Sequence, residues 1–178
     1  MPRALHIVAG QLRPEASAGP IQQAEDAGRD LSRAPGVEAV VVGRTEDRLV
    51  VATWLEGRDA LEAFAASREH MSFVKQGLAP VISGMWSAAI EADSKLPPAD
   101  TATLWVWALP ARDGVYEWQV QDLLAAVGAL PGVATAGPTV EERERFRAGG
   151  VVCVPADALT AFEERVALAR REWTIVVG

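Results

Sequence analysis

Two short motifs recur along this 178-residue chain at almost the same separation. Pro35-Gly36-Val37 returns as Pro131-Gly132-Val133, and Asp59-Ala60-Leu61-Glu62-Ala63-Phe64 returns as Asp157-Ala158-Leu159-Thr160-Ala161-Phe162. Matching offsets of this kind mark an internal duplication, and a duplication decides the architecture before any single element does. Trp86-Ser87 and Trp173-Thr174 form a third pair, expected to open the last strand of each copy. Between the copies lies Ser94-Lys95-Leu96-Pro97-Pro98-Ala99-Asp100, whose two prolines and polar residues read as a linker. The division is therefore 1–93 for the first copy, 94–100 for the linker and 101–178 for the second copy.

Each copy carries the same order of patterns. A β-rich apolar run opens it (Arg3 to Leu12; Thr103 to Leu109) and an amphipathic helix follows. The helical stripes are Ile21, Ala24, Gly28 and Leu31 in the first copy and Val120, Leu123, Leu124, Val127 and Leu130 in the second. Both helices stop at the Pro-Gly pair. Two hairpin-linked strands come next (Val37 to Arg44 and Arg48 to Leu55; Val133 to Pro138 and Arg147 to Val154). A second helix is expected to be N-capped by Asp59 or Asp157, and last strands are expected at Met85 to Ala92 and Trp173 to Val177.

The order βαββαβ is the ferredoxin-like split βαβ unit, here written twice in an α+β chain. Its two helices cover one face of the sheet and leave the other bare. Runs such as Val40-Val41-Val42 and Val151-Val152 are apolar on both faces, so the bare faces must also be buried. The expected solution packs the two tandem repeats sheet to sheet, helices outside, as a pseudo-dimeric α+β barrel within one chain.

Composition narrows the function. Seventeen Lys and Arg stand against 24 Asp and Glu, a net charge of −7, with no basic run interleaved with aromatics. Nucleic acid is not an expected partner. No stretch reaches the roughly 18 apolar residues of a membrane span. The basic residues are overwhelmingly Arg, which fits a GC-rich bacterial genome. The single Cys153 lies in the apolar run Val151 to Val154 and reads as a buried thiol in a reducing cytoplasm. His6 and His70 are the only histidines, and no second ligand stands at metal spacing, so no metal is expected. Glu141-Glu142-Arg143-Glu144-Arg145 reads as a solvated hairpin turn.

The segment Val50 to Glu91, VVATWLEGRDALEAFAASREHMSFVKQGLAPVISGMWSAAIE, resembles the antibiotic-biosynthesis-monooxygenase family of dimeric α+β barrels. A strand ending in Trp, a helix, a second amphipathic segment closing at Pro80 and a last strand follow the family's order. The resemblance implies a cofactor-independent monooxygenase, needing no cofactor, that acts on a small flat aromatic or polyketide-type compound. Trp54 matches the family's strand Trp. The family's Asn and Tyr positions are held by Val50 and Ala60, and the chain contains no Asn at all. An amide can orient a carbonyl and stabilise an oxyanion, which Val cannot do. The alternative is therefore a non-enzymatic small-molecule-binding module of regulation or stress response.

Two readings are carried for each remaining candidate. His70 is either a structural histidine or a general base or axial ligand at a pocket mouth, imidazole being the side chain that titrates near working pH. His6 reads as structural. Trp54, Trp86, Trp105 and Trp107 either fill the core or line an aromatic pocket for a flat ligand, with Tyr116 at its edge. Only the first copy keeps the longer segment Arg68 to Gly84. Met71, Phe73 and Leu78 in it either wall one cavity, present in the first copy alone, or plug the gap between helix and sheet. The barrel can close without a second chain, so the expected assembly is either a monomer with an internal pseudo-dimer or a homodimer through outer surfaces.

Overall fold

The computed structural model describes residues 2–92, 95–111, 116–140, 146–169 and 176–177. The first repeat runs β1 (Arg3–Leu12), α1 (Ala18–Asp30), β2 (Val37–Arg44), β3 (Arg48–Leu55), α2 (Arg58–Ala65), α3 (Arg68–Ser72) and β4 (Ile82–Ala92). The second runs β5 (Thr101–Pro110), α4 (Glu117–Gly128), β6 (Val133–Pro138), β7 (Phe146–Pro155), α5 (Leu159–Ala169) and β8 (Val176–Val177). The strands form two antiparallel sheets with the same order, β2-β3-β1-β4 and β6-β7-β5-β8. This is the split βαβ unit twice over, an α+β fold of tandem ferredoxin-like repeats.

Strand alternation sorts the core into three layers. Leu5, Ile7, Ala9, Val50, Ala52 and Trp54 of the first sheet meet Val106, Ala108, Phe146, Val151 and Cys153 of the second in a buried layer between the sheets. The alternate residues Ala4, Val8, Leu12, Leu49, Val51 and Leu55 face the first repeat's helices. In the second repeat Trp105, Trp107, Leu109, Val152 and Val154 face α4 and α5. The bare faces are thus buried against one another, as the doubly apolar strands require. The sheets also meet edge to edge where Ile90 bridges Thr139 and the Val140 amide donates to the Ala89 carbonyl at 2.9 Å. A Cβ on Gly137 would come within 2.1 Å of the Glu91 carbonyl oxygen, so this seam tolerates only glycine.

The repeated Pro-Gly pairs have a common cause. Gly36 and Gly132 both take positive φ (70° and 120°), the backbone turn that ends each first helix and starts the next strand. Two expectations need correction. Asp59 is not an N-cap: Gly57 precedes α2, and Asp59 sits inside its first turn, where its charge still favours the helix N-terminus. Asp157 belongs to a short 3-10 turn, Ala156–Ala158, that leads into α5. Nor does Trp86 open its strand, because β4 starts four residues earlier at Ile82. Trp173, Thr174 and the charge run at 141–145 lie outside the described residues.

Candidate functional site

The helix-facing side of the first repeat carries the polar side chains of His6, Thr53 and His70 beside an apolar core. His6 sits mid-strand in β1, paired in register with Thr53 of β3 on one side and Ala89 of β4 on the other. Parity places both His6 and Thr53 on the helix side, since their neighbours Leu5, Ile7, Ala52 and Trp54 belong to the layer between the sheets. His70 arrives from α3. Ser67 caps this helix by accepting the His70 amide at 3.1 Å, and the His70 Nδ1 lies 3.0 Å from the Ala65 carbonyl oxygen. A carbonyl can only accept, so Nδ1 carries the proton and Nε2 of the neutral ring keeps its lone pair.

Phe64 of α2 joins the two histidines. Ring centroids are 5.4 Å apart for His6 and Phe64, 4.8 Å for Phe64 and His70, and 5.6 Å for His6 and His70, the last an edge-on contact. Phe64 is fully buried, while both histidines are half-buried. Burial, reinforced by the neighbouring His70, pushes the His6 pKa down to about 4, so His6 is neutral at pH 7. Thr53 is completely buried, and its hydroxyl has no hydrogen-bond partner. Further along β4, two residues beyond Ala89, Glu91 lines an open groove of about 360 Å³ with Pro2, Glu56 and the start of α2, and no residue of the cluster lines it.

No family model and no curated protein matches the sequence. Solved structures match its shape along nearly the whole chain. A protein of Fusobacterium nucleatum subsp. nucleatum, provisionally named a monooxygenase, matches with a TM-score of 0.62 over 99% of this chain and 90% of its own, at 10% identity. A second, from Lactobacillus acidophilus and provisionally named likewise, matches with a TM-score of 0.60 over 99% and 92%, also at 10% identity. The likeness is one of fold: this chain shares the α+β fold of these two solved structures along nearly its whole length.

Among the described residues, Trp54, Trp86, Trp105 and Trp107 are divided between two layers and form no common wall. Trp54 lies between the sheets, fully buried, its Nε1 donating to the Thr135 hydroxyl of the second repeat at 3.2 Å. Trp86 is in the same layer, edge-on to Phe146 with centroids 5.5 Å apart. Trp105 and Trp107 share a face, as their spacing requires, but it is the opposite face, under α4 and α5. Tyr116 and Met71 are exposed. Phe73 and Leu78 are buried in the layer between the helices and the first sheet. Val50 and Trp54 both face the space between the sheets, whereas His6, Thr53 and His70 gather on the far side of the sheet.

In the sequence His6 reads as structural, and Thr53 does not stand out from its strand. Their signal was available: each is a polar residue at the centre of an apolar strand, at the parity that faces the helices. Among the described residues no group of three or more His, Cys, Asp and Glu is placed to hold a metal, and no helix is long and apolar enough to cross a membrane.

Proposed function

We propose that this protein is a cofactor-independent monooxygenase of a small phenolic, flat aromatic or polyketide-type compound, and that its chemistry takes place beside His70. The observation that carries the reading is the His70 Nδ1 contact with the Ala65 carbonyl, which fixes the tautomer and leaves Nε2 as a base. Phe64, 4.8 Å from the imidazole, supplies an apolar flank for an aromatic ring.

In the reaction proposed, His70 takes the proton of a phenolic hydroxyl. The electron-rich phenolate ring carbon para to that oxygen bonds to dioxygen. The resulting hydroperoxide loses water: one oxygen atom stays on the ring as the second carbonyl of a quinone, and the other leaves as water with the two hydrogens the substrate gives up. Dioxygen is the oxidant, and the substrate supplies all the electrons.

Oxygen uptake with a panel of hydroxylated aromatics, read with quinone absorbance, tests this. The expected result is stoichiometric uptake that falls at least about 100-fold in His70→Ala, the usual range for removing a general base. Turnover unchanged in that variant removes His70 from the role.

One observation favours a second reading. Val50 and Ala60 occupy the positions where the resembling family carries Asn and Tyr, and Val50 is buried between the sheets. A binding module that holds such compounds without chemistry would bind them with no oxygen uptake in any variant.

A further inference from the structure

We infer that Thr53 and His6 form a hydrogen-bonding recess in the first repeat that receives a hydroxyl or carbonyl oxygen of a neutral aromatic ligand and so selects oxygenated compounds over hydrocarbons of the same shape. The inference rests on the location proposed above, and does not require turnover. Its first support is the unpartnered Thr53 hydroxyl, wholly buried next to His6 in the sheet register. A buried hydroxyl without a partner costs stability, and a valine of the same shape would not carry that cost.

The second support comes from the duplication itself. In the first sheet His6 pairs with Thr53 and its ring meets Phe64. In the second sheet Trp105 pairs with Val152 and its ring meets Phe162, the Phe of the repeated Asp-Ala-Leu-x-Ala-Phe motif, with centroids 5.7 Å apart. Trp105 and Val152 each stand 99 residues after His6 and Thr53, close to the 98 that separates the two Phe residues. The same architectural position is thus filled with a large indole and an aliphatic side chain in one repeat and with an imidazole and a hydroxyl in the other. The second repeat shows that the fold accepts an indole and an aliphatic side chain here, the buried Trp105 Nε1 also lacking a hydrogen-bond partner, so the imidazole and hydroxyl pair is not a requirement of the fold.

The groups that face the recess define what it takes. His6 offers one N–H and one lone pair, Thr53 a hydroxyl that both donates and accepts, and Ala89 and Phe64 apolar walls, with His70 edge-on at the mouth. No carboxylate or guanidinium pairs with His6 or Thr53 in the sheet register, which suits an uncharged oxygen.

The test uses p-cresol and p-xylene, which differ by a hydroxyl for a methyl, titrated anaerobically into the full-length protein with binding read by NMR. The native protein should bind p-cresol about tenfold or more tightly than p-xylene, the factor that one buried hydrogen bond confers. Thr53→Val should erase that preference with a melting temperature unchanged or higher, and Thr53→Ser should restore it. The same pattern should hold without dioxygen and whether or not the protein shows oxygen uptake, which separates this recess from the catalytic reading. Equal binding of the two probes to the native protein, no binding of p-cresol, or a preference that survives Thr53→Val each overturns the inference.

Discussion

His6 offers the most direct reading of environment at the scale of one residue. Its pKa is depressed in the folded state by burial and by His70, from 6.5 to about 4, while the unfolded chain titrates at the ordinary value. Between those values the unfolded state binds the extra proton, so stability is fully present above pH 6.5 and is lost as the pH falls toward 4, below which both states are protonated. Thermal melts from pH 7.5 to 4 should show this slope, and His6→Leu should flatten it. An unchanged slope in the variant assigns the titration elsewhere. Cys153 gives a second expectation: burial raises its pKa to about 11, partly offset by the nearby Thr101 hydroxyl. A thiol reagent should modify it only at the rate of unfolding, and rapid labelling of the native protein would contradict the buried position. Single residues were the least legible part of the sequence. Trp54 and Trp105 look alike as strand tryptophans, and only the parity of each strand relative to its own sheet sends one between the sheets and the other under the helices.

Elements were far more legible, because their signals are local. The bounds of β1, β2, β3 and β6 follow from apolar runs bounded by turn residues, and the duplicated Pro-Gly pairs fix where the first helices stop. The path from α3 to β4 was less so. There Phe73–Leu78 winds as a wider π-type turn, the Ala79 amide reaching the Val74 carbonyl at 3.0 Å, and tertiary packing rather than periodicity chooses that form. The segment turns His70 toward the sheet while Phe73 and Leu78 fill the layer beneath α1. Phe73→Ala should therefore cost about 3–5 kcal/mol in denaturant unfolding, the range for emptying a buried aromatic site. A cost below about 1 kcal/mol would show that Phe73 is not part of the continuous core. At the seam, Gly137→Ala should destabilise by about 1–3 kcal/mol through its collision with the Glu91 carbonyl.

For the whole molecule, the duplication accounts for both the closed barrel and its asymmetry. One chain supplies both sheets, and the layer they share is built from both repeats, with Trp54 hydrogen-bonded across it to Thr135. Light scattering of a dilute sample should give the mass of a single chain with the fold intact; dissociation accompanied by unfolding would show that a second chain is needed. The repeat makes the pairing of sheets readable from sequence, but it cannot say which copy keeps polar groups under its helices, because that depends on strand parity and on where α3 sets His70. The central claim is that the ligand site belongs to the first repeat alone, beside His6, Thr53 and His70. Crystals soaked in p-cresol test it most directly: density is predicted next to these three residues and nowhere between α4, α5 and the second sheet, and density in the second repeat, or equally in both, would contradict the account.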